Sequence, residues 1–211
     1  MTSGSAMSLL EAIAFVVSIV GVWLTTARSL WNYPFSLLSV GLYGAIFYQA
    51  KLYADMGLQG IFAGTLFYGL WQWLRGRSAS GDLLITRVHA DEVVISIAAG
   101  VVTAGALGFL LSTHTDASLP WIDSFLFAVS LVASVWTARR NIESWWIWIT
   151  VDVLYVGVYL FKHLYLTAVL YAVFIGLAVL GLRRWQSAFD SENTAPHFSC
   201  RMGPKQKNVV Y

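Results

Sequence analysis

Apolar residues in this chain run in long blocks rather than in alternation, and the polar positions inside those blocks recur at helical spacing. Seven windows stand out, roughly 9–27, 32–50, 56–75, 92–112, 121–138, 145–162 and 164–184. Each holds about 17 to 21 mostly apolar residues, enough as a helix to cross a hydrocarbon core of ~30 Å. Lipid offers backbone groups no outside partner, so helices and tight turns are predicted and open strands are not. Between the third and fourth windows lies a polar linker, Gly76 to Asp82, and after the seventh a polar tail runs from Ser187 to Tyr211. The predicted fold class is an all-α membrane protein with seven transmembrane helices.

Polar side chains within the windows form stripes. Asn32, Ser36, Ser39 and Tyr43 share a face of the second helix; Thr65, Tyr68 and Gln72 share one of the third; Ser130, Ser134, Thr137 and Asn141 share one of the fifth. A single Ser or Thr in a membrane helix commonly bonds to its own backbone. Stripes on several helices together predict a polar path where those helices converge. Gly60 and Gly64 form a small-xxx-small pair, for which close helix packing is the expected role. Pro34 fits the first turn of its helix.

The sixth window carries the one stretch that packing alone does not explain. Asp152 sits inside an apolar run, and intramembrane acids are costly unless they face a bundle interior, a partner or a wet cavity. Trp145, Trp148, Asp152, Tyr155 and Tyr159 fall on one helix face, an aromatic wall with an anion set into it. Such a wall suits a flat ring, above all a cationic one. The alternative is that the tryptophans are interfacial anchors and Asp152 pins a neighbouring helix. Asp55, beside Lys51 in a short loop, reads as a solvated or capping residue, and Gln59, one turn deeper, can donate and accept through its amide.

The two ends of the chain resemble each other. A shift of about 112 positions lays Leu42-Tyr43 on Leu154-Tyr155, Leu52-Tyr53 on Leu164-Tyr165, Phe62 on Phe174, Gly64 on Gly176, Gly69-Leu70 on Gly181-Leu182 and Trp73 on Trp185. Two three-helix units share one orientation only if a further helix separates them. The predicted organisation is therefore three plus one plus three: residues 1–75 an N-terminal repeat, 76–120 a linker with the fourth helix, 121–186 a C-terminal repeat, and 187–211 a polar tail. Parallel repeats of this kind occur in the sugar-carrying SWEET proteins. The loop charges predict an outer N-terminus and a cytoplasmic C-terminus, with Arg28, Arg75, Arg77, Arg87, Arg139, Arg140, Arg183 and Arg184 on the inner side and Lys51 and Lys162 outside.

Composition supports the membrane reading and narrows the chemistry. Of 211 residues 58% are hydrophobic and 11% charged, with mean hydropathy +0.66, outside the range of soluble domains. A net charge of +2 spread over short loops gives no footprint for nucleic acid. The lone Cys200 leaves no internal disulfide and no cysteine metal cluster. No basic residue precedes the first apolar run, so a cleaved signal is not expected. Zincin, nucleophile-elbow and phosphate-loop motifs are lacking, and His89, His114, His163 and His197 fall in loops or tail. Neither enzymatic activity nor a cofactor or metal is expected. Without room for a nucleotide-binding domain, any transport would run on a gradient or a downstream reaction.

Two stretches carry a family resemblance. Leu52-Tyr53-Ala54-Asp55-Met56-Gly57-Leu58-Gln59 with Tyr68-Gly69-Leu70-Trp71-Gln72-Trp73, and Glu143-Ser144-Trp145-Trp146-Ile147-Trp148 with Val151-Asp152-Val153-Leu154-Tyr155, resemble the bacterial nicotinamide riboside transporter family of Pnu-type vitamin uptake proteins. The resemblance covers roughly positions 10 to 186. It implies a SWEET-like fold, a homotrimer in the bacterial inner membrane, and facilitated diffusion of nicotinamide riboside followed by trapping through cytoplasmic phosphorylation. It also implies that Trp145 and Trp148 stack on the ligand and that Gln59 and Asn141 hydrogen-bond it, with Asp152 serving the ribose or the ring charge. The expected substrate-binding set is Asn32, Tyr43, Gln59, Tyr68, Gln72, Asn141, Trp145, Trp148, Asp152 and Tyr155, and the expected partners are a small-molecule substrate and the lipid bilayer. Thiamine, riboflavin or a sugar as substrate, proton coupling through Asp152, and a non-transporting scaffold remain open alternatives.

Overall fold

The computed structural model describes residues 9–49, 53–78, 81–115, 119–161, 163 and 165–194. They form seven helices: α1 (Leu9–Thr26), α2 (Asn32–Gln49), α3 (Tyr53–Arg75), α4 (Ala90–His114), α5 (Pro120–Ala138), α6 (Ser144–Phe161) and α7 (Tyr165–Thr194). Among the described residues five of these, α1, α4, α5, α6 and α7, are long and apolar enough to cross a membrane. The polar stripes on α2 and α3 lower their hydropathy. Local chemistry sets several ends. Pro120 opens α5, where a missing N–H costs nothing, and Asp91 and Glu92 complement the dipole at the start of α4.

Six helices surround a common centre. Sequential neighbours pack within α1–α2–α3 and within α5–α6–α7, and the two groups meet where α1 touches α7 and α3 touches α5. Among the described residues α4 packs only on α5 and presents much of its length outward, including Val94, Ile95, Ile97, Val101 and Val102. The side chains of Tyr53–Asp55 lie outside the described set, so the expectation for Asp55 is not addressed.

The same local geometry occurs at positions 112 residues apart. Arg28 and Arg140 both take left-handed backbone angles, φ 57° and 69°. The bonds that surround them match: Arg28 N–H donates to Thr25 O and Arg140 N–H to Thr137 O, each at 3.0 Å, while Ser29 N–H reaches Leu24 O at 3.0 Å and Asn141 N–H reaches Trp136 O at 2.9 Å. These are Schellman endings, which satisfy the last carbonyls of α1 and α5. An arginine at the left-handed position is strained relative to glycine. Its guanidinium explains the choice in both cases, as described below for the linker.

Three features go beyond or revise the expectations. After the polar stretch that ends at Asp82, Leu83 and Ile85, 2% and 4% exposed, insert into a core with Tyr33, Trp73, Trp145 and Trp185. Arg28 donates to Leu83 O at 3.2 Å, and Arg140 donates to Gly76 O at 3.1 Å and Leu84 O at 3.2 Å, so the paired arginines hold this strap over one end of the bundle. Isolated bridges pair Arg77 with Leu83 and Thr86 with Asn141. Secondly, α7 runs on to Thr194 rather than ending near 184, because Trp185 and Ala188 bury one face of its last turns. Thirdly, a Cβ at Gly60 or Gly64 would meet no atom within 4 Å, so close packing is not their role within the described chain.

Candidate functional site

A cavity of about 340 Å³ lies at the centre of the six helices, lined by residues of each and by none from α4. That volume suits a small organic molecule. The periodicity of the stripes explains who lines it. Ser36 and Ser39 from α2, Thr65 from α3, and Ser130, Ser134 and Thr137 from α5 all face the space, as does Ser18 from α1. Most of these hydroxyls send their proton to backbone one turn back: Thr65 to Phe62 O at 2.8 Å, Ser134 to Ser130 O and Thr137 to Ala133 O at 2.9 Å. Ser18 and Ser39 hydrogen-bond each other at 2.6 Å, joining α1 to α2 across the wall. Spent as donors, Thr65, Ser134 and Thr137 offer acceptor lone pairs.

Aromatic rings supply the rest of the surface. The Trp148 indole N–H donates to Thr137 Oγ1 at 3.0 Å, which sets its ring relative to α5. Trp145 stands edge-on to Trp185, centroids 5.2 Å apart and planes at 89°, and Tyr33 meets Trp73 at 5.3 Å and 87°. Trp73 donates to Thr137 O at 3.2 Å and Trp185 to Thr25 O at 3.3 Å, each tying a third helix of one group to a first helix of the other. Tyr155, Tyr159 and Tyr171 form a cluster, with Tyr155 and Tyr159 stacked at 5.7 Å and Tyr171 4.7 Å from Tyr155. Leu83 and Ile85 close the arginine-rich end beneath Tyr33, Trp73 and Trp145.

Asp152 is on the cavity wall, 4% exposed, between Trp148 and Tyr155 in sequence. Among the described residues its carboxylate is in no ion pair, and the phenols of Tyr155 and Tyr171 lie near enough to interact with it electrostatically. The indole N–H of Trp145, also buried, has no partner among the described residues. An acid and an indole donor buried beside one cavity are costly unless complementary groups meet them.

Of the ten residues expected to bind substrate, Asn32, Trp145, Trp148, Asp152 and Tyr155 line this cavity. The other five do not. Tyr68, Gln72 and Asn141 belong to a separate network at the arginine-rich end: Gln72 donates to Tyr68 at 2.7 Å, Arg139 to Tyr68 at 3.1 Å and to Glu92 at 2.8 Å, and Asn141 accepts from Thr86 at 2.8 Å. Gln72 is satisfied within α3, and Asn141 by the linker and by Glu92 of α4, elements whose approach a stripe on one helix does not reveal. Tyr43 lies off the wall with its hydroxyl engaged by Ser18, and Gln59 is half-buried on α3 away from the cavity. Tyr33, Phe62, Trp73, Tyr171 and Phe174 line the site without having been expected. The 112-residue offset pairs Tyr33 with the expected Trp145, a signal that would have found Tyr33.

Comparison with known proteins agrees with this architecture. Residues 8–187 match the model of the family described as nicotinamide mononucleotide transporter. The nicotinamide riboside transporter PnuC of Escherichia coli is 26% identical over 207 residues, covering 86% of this chain and 87% of its own. The riboflavin/roseoflavin transporter RibM of Streptomyces davaonensis is 27% identical over 179 residues, covering 83% of each. The crystal structure of the vitamin B3 transporter PnuC superposes with a TM-score of 0.70 at 26% identity, covering 87% of this chain and 83% of that one. The chain belongs to the nicotinamide mononucleotide transporter family and is a multi-pass membrane transporter, not an enzyme.

Proposed function

We propose that this member of the nicotinamide mononucleotide transporter family carries nicotinamide riboside, or a vitamin of the same cationic aromatic chemistry, by facilitated diffusion across the bacterial inner membrane, with trapping by cytoplasmic phosphorylation. One observation carries the reading: the buried carboxylate of Asp152, in no ion pair among the described residues, stands on an aromatic cavity wall with Trp148 and Tyr155. A positively charged ring bearing an amide and ribose hydroxyls meets those groups. The ring stacks on indole or phenol faces, its charge lies near the acid, and the acceptor oxygens of Thr65, Ser134 and Thr137 suit hydroxyl donors. The relatives named for nicotinamide riboside support the substrate. The riboflavin relative supports a second reading, a neutral flavin, which the Asp152 charge disfavours.

The assembly in this reading has seven crossings arranged three plus one plus three, with α4 as the connecting helix, an outer N-terminus, a cytoplasmic C-terminus and a homotrimer. Support comes from the matched turns at Arg28 and Arg140 and the crossed indole bonds of Trp73 and Trp185. The crowding of arginines at one end supports the orientation. Residues 1–75, 76–120, 121–186 and 187–211 are the corresponding units, α7 carrying helix into the last of them.

A thermal-shift panel of nicotinamide riboside, thiamine, riboflavin and glucose on the detergent-purified chain tests the substrate, because a ligand that binds the folded form raises its apparent stability. Stabilisation by nicotinamide riboside is expected. Stabilisation by glucose alone would overturn the assignment, and stabilisation by riboflavin alone would install the flavin reading.

A further inference from the structure

Outside the central cavity lies a recess with concentrated chemistry, a groove between the end of α1 and the middle of α7 lined by Trp23, Thr26, Arg28, Arg183, Arg184 and Ser187. From these residues we infer a binding site for the phosphate of an anionic membrane lipid. The inference is independent of what the central cavity carries.

Depth supports it first. α1 ends at Thr26 after 18 residues, and the apolar part of α7 from Tyr165 to Leu182 spans about 18 residues, or roughly 27 Å at helical rise. Arg28 and the Arg183–Arg184 pair therefore leave the hydrocarbon at one level, where headgroup phosphates lie. Trp23, one turn inside Thr26 and 46% exposed, has the placement of an interfacial indole bordering acyl chains.

Charge supports it next. Arg184 is positioned by a 2.9 Å bond to Thr26 Oγ1, whose own proton goes to Trp23 O at 2.8 Å. Arg28 is shared between Leu83 O and Glu192, the latter at 3.5 Å. Arg183 is exposed and makes no recorded polar contact among the described residues. Three guanidiniums against one carboxylate leave the groove positive, and guanidinium forks with a nearby hydroxyl, here Ser187, match phosphate oxygens.

The fold does not require this cluster. At the 112-residue offset Arg183 and Arg184 correspond to Trp71 and Gln72, and the arginines of the corresponding region, Arg139 and Arg140, are engaged by Tyr68, Glu92 and the linker carbonyls. The Arg183–Arg184 pair is thus particular to one half of the molecule.

The test is native mass spectrometry of the full chain released from nanodiscs of phosphatidylglycerol or phosphatidylcholine, with sodium phosphate added in a further arm. Retained phosphatidylglycerol is expected, falling at least about tenfold in Arg183→Gln and further in Arg183→Gln/Arg184→Gln, and unchanged in Arg75→Gln, which alters an arginine at the same end outside the groove. Because Arg183 supports no contact within the fold, its single variant reports binding even if the double variant fails to fold. Equal retention of phosphatidylcholine, no loss in Arg183→Gln, or displacement of lipid by millimolar sodium phosphate would each overturn the assignment, the last by showing a site for soluble phosphate.

Discussion

The six-membered ring of Trp145 lies against Gly181, so closely that a Cβ at 181 would come within 2.6 Å of three ring atoms. Trp145 is completely enclosed, edge-on to Trp185 and on the cavity wall, and its position depends on the missing side chain one helix away. Gly181→Ala is expected to destabilise the protein by about 1–3 kcal/mol as the ring is forced out of place. Gly176→Ala, where an added Cβ meets nothing within 4 Å, should be neutral or slightly stabilising. Thermal unfolding of the two variants in detergent separates these outcomes.

Trp148 holds its place through Thr137. Thr137→Val removes the acceptor of the 3.0 Å indole bond and leaves a donor unsatisfied, for a loss of about 1–2 kcal/mol. Ligand affinity measured by titration calorimetry should fall several-fold in Thr137→Val, and ligand-induced stabilisation should vanish in Trp148→Ala.

Asp152→Asn keeps size and removes charge. The variant should fold, bind nicotinamide riboside about tenfold more weakly, a change of ~1.4 kcal/mol, and bind a neutral ring with unaltered affinity. Equal weakening of charged and neutral ligands would show that the acid acts as a hydrogen-bond acceptor and not through its charge.

Leu83 tests the strap. Its side chain is 2% exposed among core aromatics, so Leu83→Ala should cost about 2–5 kcal/mol, whereas Leu84→Ala, at 40% exposure, should cost little. Midpoints of thermal unfolding report the difference.

Facilitated diffusion has its own signature in proteoliposomes. Initial uptake of nicotinamide riboside should not change when a pH step is imposed across the membrane, and a clear dependence on that step would point to proton coupling through Asp152.

How much of this was legible in the sequence depends on which contacts are local. Helical periodicity placed Trp145, Trp148, Asp152 and Tyr155 on one face of α6, because side chains three and four apart share a face whatever surrounds them. All four do line the cavity. Block hydropathy likewise marked out the helices to within a few residues, except at α7, where apolar side chains facing the bundle prolong the helix beyond the lipid. The 112-residue offset was readable as well, and at that spacing the structure repeats one local geometry, the turns at Arg28 and Arg140.

Tertiary packing decided the rest. A stripe fixes a direction around one helix axis, but its rotation toward the centre and its depth are set by neighbours. Asn32 and Ser36 therefore reach the cavity while Tyr43 on the same stripe does not, and Tyr68, which Gln72 bonds, is engaged by Arg139, a residue 71 positions away. Leu83 and Ile85 sit next to a polar segment in sequence and inside an aromatic core in space, because carbonyls of the strap meet the guanidiniums of Arg28 and Arg140. Periodicity is a property of the backbone alone, whereas a cavity exists only where several helices, each with its own rotation, leave the same space unfilled.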